Sequence, residues 1–150
     1  MKRLAAFGAA LVVAAAGSGA GQATTGAPSP TVVVRAWSKA LDANDNAAAG
    51  RLFAKNAHII QPPVVDGLLA TSALATAFND SLPCAGRIVR MAMKGDTVVA
   101  TFVLGRRPKH TCDAPGQQAA ALFVVRKGKI VLWEQVAVPK APKPPGGATT

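Results

Sequence analysis

Few side chains in this chain could do chemistry, and their spacing is wide. Proton transfer could use His58, Asp80 or Glu134, each acting with water, but no Ser/His/Asp or Cys/His set and no glycine-rich phosphate loop accompanies them. Arg106, Arg107, Lys109 and His110 cluster in one Pro/Gly-rich stretch, where they could steer an anionic ligand or simply be solvated. Cys84 and Cys112 are the only cysteines. They could form a disulfide, stay as two buried thiols, or supply half of a metal site with His110. A metal site needs three or four ligands and no Cys-x-x-Cys spacing exists, so neither a metal nor any other cofactor is expected.

The start of the chain favours the disulfide. Met1-Lys2-Arg3 gives a positive start, Leu4 to Ala16 is apolar and too short to cross a bilayer, and Gly17 to Ala23 consists mainly of small residues suited to signal-peptidase cleavage. Residues 1–23 therefore read as a signal peptide and the mature protein as secreted, with no stable membrane anchor. An oxidising compartment favours a Cys84–Cys112 bridge, closing a loop of about 28 residues worth roughly 3–4 kcal/mol in the chain-entropy model. Residues 24–30 read as a linker and 139–150, with Pro142, Pro144 and Pro145, as a disordered tail. One domain remains, over 31–138. The formal charge of +10 could attract anionic polymers, but no basic-aromatic stacking motif is present and no nucleic-acid partner is expected.

Hydrophobic period divides the domain into helices and then strands. Val33, Val34, Trp37, Ala40 and Leu41 recur at helical spacing. A second helical piece covers Ala47 to Phe53, with Asp45 as its cap and Leu52 and Phe53 as anchors. His58 to Gln61 reads as a strand stopped by Pro62–Pro63, and Ser72 to Phe78 as a third helix with Leu74, Ala77 and Phe78 on its apolar face. After Pro83 come two hairpins, Arg87–Met93 with Thr97–Leu104 and Ala119–Arg126 with Ile130–Ala137, turning at Gly95 and Gly128. The loop from Gly105 to Gln118 joins them. The arrangement is α+β, with helices on one face of a curved antiparallel sheet.

This block resembles the ketosteroid isomerase and SnoaL-like branch of the NTF2-like superfamily. The residues that carry the likeness are Trp37, Ala40–Leu41, Asp45, Leu52-Phe53-Ala54, Gln61–Pro62, Phe78 with Ser81–Leu82, and Gly128 to Ile130. The resemblance implies a cone-shaped domain enclosing a pocket, lined here by Trp37, Phe53, Gln61, Phe78, Phe102, Phe123, Trp133 and Gln135. It also implies which catalytic groups are missing. Gln61 stands where those isomerases carry the proton-shuttling aspartate, Trp37 and Phe78 stand for their tyrosines, and Ala119 to Phe123 holds no acid for the oxyanion hole.

In the expected register Val131, Trp133 and Gln135 face the pocket and Glu134 points away. The reverse register would make Glu134 a buried carboxylate and candidate base. On the first strand Gln61 should see the pocket and His58 the surface. Three functions remain open: binding of a small hydrophobic ligand without catalysis, a cyclase, dehydratase or isomerase using an unusual acid or base, and an assembly role with a homodimer formed through the sheet.

Overall fold

The computed structural model describes residues 26–63 and 65–141. The expected signal peptide, the start of the linker and the tail beyond residue 141 lie outside them. Three helices, α1 (Pro30–Asp42), α2 (Asn46–Arg51) and α3 (Ser72–Ser81), accompany six strands: β1 (Phe53–Gln61), β2 (Val65–Leu69), β3 (Ala85–Lys94), β4 (Thr97–Gly105), β5 (Gln118–Arg126) and β6 (Lys129–Val136). The strands form one sheet in the order β2-β1-β6-β5-β4-β3.

Local chemistry sets the helix ends. Pro30 opens α1, where its missing N–H is not needed, and the chain turns after α1 at Asn44, which takes a positive φ of 56°. Asp45 caps α2 by accepting from the Ala48 N–H at 2.8 Å, and Thr71 caps α3 by accepting from Leu74 at 3.2 Å. A Cβ added to Gly50 would sit 3.0 Å from the Thr76 nitrogen, so this glycine permits α2 and α3 to approach closely. The buried face of α3 is Ala75, Phe78 and Asn79, while Leu74 is exposed. The helical period therefore points one face too far toward Leu74, because a buried asparagine does not register as apolar.

Several strand expectations are corrected. Phe53 opens β1 and does not anchor α2, which ends at Arg51. Strand β1 begins five residues before His58 because Asn56, at φ 60°, sits in an irregularity that breaks alternation. Strand β2 escaped notice because Asp66 and Gly67 interrupt its apolar pattern. The sheet is mixed: β1 runs antiparallel to β2 but parallel to β6, its partner from the far end of the chain. Hairpin signals cannot reveal that pairing, since a parallel neighbour needs a long crossover.

The hairpins match the sequence closely. Gly95 and the Lys127–Gly128 pair take the positive φ their turns require. A shift between Val124 and Val125 upsets simple alternation in the second hairpin. Ile130 is thereby buried with Trp133, although strict alternation had put them on opposite faces.

Helix α1 lies across β3, β4 and β5. Beneath it Phe102, Trp37, Trp133, Phe78 and Phe53 form a continuous aromatic row, with successive ring centroids 5.1–6.5 Å apart. Phe123 joins Trp37 edge-on at 5.2 Å.

Candidate functional site

A cavity of about 350 Å³ opens between α1, the sheet and the loop that joins β4 to β5. Its inner wall is aromatic and small: Trp37, Phe102, Trp133 and Ala121. Gln61 on β1 and Gln135 on β6 contribute amides, and Gln117 and Gln118 contribute two more from the loop side. Among the described residues Asp113 is the one charged residue of the wall, and no Lys, Arg or His lines it.

Of the residues expected to line a pocket, Trp37, Gln61, Phe102, Trp133 and Gln135 stand together there. Phe53, Phe78 and Phe123 do not. Phe123 is fully buried in the core, Phe78 is held between Phe53 and Trp133, and Phe53 borders a separate hollow beside α3. These three form the packing behind the cavity wall.

The proton-transfer candidates lie elsewhere. His58 is partly exposed and pairs with Asp66 at 2.5 Å. Glu134 sits opposite Leu122 and Ile60, on the sheet face turned away from Trp133. Asp80 is exposed and accepts from the Asn46 amide at 2.7 Å. Asp42 also lies outside the wall; burial pushes its carboxyl above the usual range, against a hydrogen bond from the Gly86 backbone that lowers it.

The basic loop turns out to be a clamp. Arg107 is buried and all five guanidinium N–H groups donate. They reach Asn44 Oδ1 at 3.1 and 2.7 Å, the Asn79 and Leu82 carbonyls at 2.9 Å each, and Asn46 Oδ1. Burial lowers its pKa, partly offset by the nearby Asp80 charge. His110 faces the Asp80 and Pro108 carbonyls at 2.8 and 3.0 Å. Arg107 and His110 thus fasten this loop to the α1–α2 turn and the end of α3, Arg106 and Lys109 are exposed, and none of the four is among the cavity-lining residues. A second fastening is the Cys84–Cys112 disulfide. Among the described residues the only group within metal-ligating reach is those two oxidised sulfurs with Asp113.

Sequence reasoning also passed over Asn79. It is fully buried, accepts from the Trp37 indole N–H at 2.7 Å and donates to the Ala75 carbonyl at 2.7 Å. Trp37 therefore has no free donor to offer a substrate in place of the isomerase tyrosine. The available signal was a polar residue at a buried helical position, three residues after Thr76 and beside Phe78.

Comparison with known proteins agrees with this fold. Solved structures with the same fold include an NTF2-like protein of unknown function from Cytophaga hutchinsonii, at 16% identity, TM-score 0.58, and coverage of 72% of this chain and 88% of that one. A ketosteroid isomerase-like protein from Catenulispora acidiphila, crystallised with trimethylamine, gives 18% identity, TM-score 0.59, and coverage of 73% and 87%. A protein from Sinorhizobium meliloti provisionally assigned as a polyketide cyclase gives 17%, 0.55, and coverage of 70% and 94%. Such identities speak for the fold alone. Among curated proteins the chain has no match at this level. The SnoaL-like domain model matches residues 34–133, which spans the domain from α1 to the tryptophan of the last strand. The chain belongs to the SnoaL-like domain family, with an NTF2-like α+β fold.

Proposed function

We propose that this is a secreted binding domain whose cavity holds a small, mainly apolar molecule without transforming it. One observation carries the reading: the wall is built of Trp37, Phe102, Trp133, Ala121 and amides, while His58, Asp80 and Glu134 stand outside it. An amide at Gln61 cannot exchange a proton near neutral pH, so the cavity lacks a general base at the position where the resembled ketosteroid isomerases carry their aspartate. Secretion is supported by the leader sequence and by the disulfide, which suits an oxidising compartment. No helix among the described residues is long and apolar enough to cross a membrane.

Binding should perturb the two indoles. A screen of small apolar compounds by tryptophan emission and thermal shift should yield at least one micromolar ligand, equivalent to about −8 kcal/mol. The signal should disappear in Ala121→Phe, which fills the cavity. Ala121→Phe with unchanged affinity would place the ligand elsewhere and end the reading.

An enzymatic reading of the SnoaL-like type has one observation in its favour, the Asp113 carboxylate on the wall. The binding reading makes the opposite forecast. The isomerase reaction loses factors on the order of 10² to 10⁴ for the missing base alone, so turnover of a 3-oxo-Δ5 steroid should equal the buffer rate. Turnover above buffer that is abolished by Gln61→Ala or Asp113→Asn would establish catalysis.

A further inference from the structure

The cavity wall and the molecule as a whole have opposite charge. The chain carries 17 Lys and Arg against 7 Asp and Glu, a formal charge of +10, yet the one charge in the described wall is the Asp113 carboxylate. Its Oδ1 lies 3.5 Å from the sulfur of Cys84, another lining residue, so the carboxylate stands beside the cavity where the disulfide tethers the loop. Cys84 is bonded to Cys112 and has no S–H to give, and none of the ion pairs among the described residues involves Asp113. The carboxylate is thus left to solvent and to whatever enters the cavity.

A second acid flanks the same edge. Cys84, Ala85 and Gly86 form one border of the cavity, and the Asp42 carboxylate accepts from the Gly86 backbone. Two acids beside one border make its potential negative, against the sign of the chain as a whole. Gln117 and Gln118, next to Asp113 in the wall, add amide oxygens that accept from N–H groups. Asp113 is exposed, so a charged group placed against it keeps part of its hydration and escapes the cost of full burial. The cavity volume of about 350 Å³ lies at the lower end of the range for small organic ligands, about 300–1,000 Å³. Resting on the binding reading above, we propose that the ligand is a small organic amine: its apolar body packs against Trp37, Phe102, Ala121 and Trp133, and its protonated nitrogen is held at the cavity border by Asp113.

Three probes of nearly the same shape test this by titration calorimetry on the oxidised protein near neutral pH: 2-naphthylmethylamine, 2-naphthylmethanol and 2-naphthoate. The amine should bind about threefold tighter than the alcohol, the worth of one exposed ion pair, and the naphthoate should bind weakest. The net positive charge of the chain acts in the opposite sense and attracts the naphthoate, so an amine preference reports the local site. The gap between amine and alcohol should narrow as salt is raised. In Asp113→Asn the amine should lose its advantage over the alcohol, and in Asp113→Lys the naphthoate should overtake the amine. Should both variants fail to fold, the order of the three probes on the wild-type protein and its salt dependence decide alone. Equal affinity for amine and alcohol, tightest binding by the naphthoate, or an amine advantage that survives Asp113→Asn overturns the proposal while leaving the binding reading intact. Failure of all three to bind removes the binding reading and this inference with it.

Discussion

At the scale of single residues, three buried polar groups hold the site in place. Asn79 orients Trp37 through one hydrogen bond and ties back to its own helix through another. Arg107 serves the α1–α2 turn and the end of α3 at once. Ser38 donates to the Gly86 carbonyl at 2.9 Å, fixing α1 to the edge strand β3. Arg107 permits the sharpest test, because lysine keeps its charge but gathers its donors at one point and cannot reach four separate oxygens. Arg107→Lys should cost about 2–3 kcal/mol, read from the urea unfolding midpoint. A loss within error of zero would mean that the clamp is ornamental to stability.

At the scale of elements, the long connection between β4 and β5 behaves as a wall because it is fastened at two points. Its backbone also returns to β4, with Gly116 N–H donating to the Leu104 carbonyl and Leu104 N–H to the Gln117 carbonyl, both at 2.8 Å. Cys112 is bonded to Cys84 at a sequence separation of 28, and Asp113 and Gln117 then project onto the cavity. Protein collected outside the cell should show a mass two hydrogens below the reduced value, restored on reduction. Reduction should lower stability by up to roughly 3–4 kcal/mol and weaken ligand binding, since one wall loses a tether. Two alkylatable thiols in the native protein would contradict this.

The tips of the hairpins are joined as well. The Asp96 carboxylate accepts from Arg126 at 2.9 Å, and this hydrogen bond is the main reason its pKa is lowered. The Asp96 carbonyl accepts from the Val125 N–H at 2.8 Å. The two contacts hold the β3–β4 turn against the strand leading into the β5–β6 turn.

At the scale of the whole molecule, the sheet has one face under the helices and one outward. On the outward face Val99, Leu122, Val124 and Leu132 are half-buried neighbours, the surface a homodimer through the sheet would use. Val136, Ala120, Thr101 and Arg90 occupy one row across four strands. Arg90 donates to the Pro139 carbonyl at 2.6 Å, so the chain after β6 turns back across that row. This explains why Thr101 and Ala120 are buried although they alternate away from the helices. The C-terminal segment thus covers part of that outward face. Deleting residues 138–150 should increase self-association in sedimentation velocity across a dilution series. Unchanged sedimentation would show that the segment does not limit contact between copies.

Much was legible in the sequence because local rules carry it: Asp45 as a cap, the two hairpins with glycine at their turns, and the helical stripe of Val33, Val34, Trp37 and Leu41. That Gln61 is an amide where the resembled isomerases carry an aspartate is legible without any structure, since side-chain chemistry belongs to the residue. Contacts between distant segments were a different matter. The parallel β1–β6 pairing, the withdrawal of Phe53, Phe78 and Phe123 into the core, the burial of Arg107 and the hydrogen bond from the Trp37 indole to Asn79 each depend on which partner arrives from elsewhere in the chain. An arginine in a Pro/Gly-rich loop has the same local pattern whether it meets water or two asparagines and two carbonyls. Only the tertiary structure decides between them, because hydrogen-bond satisfaction and burial are properties of neighbours in space.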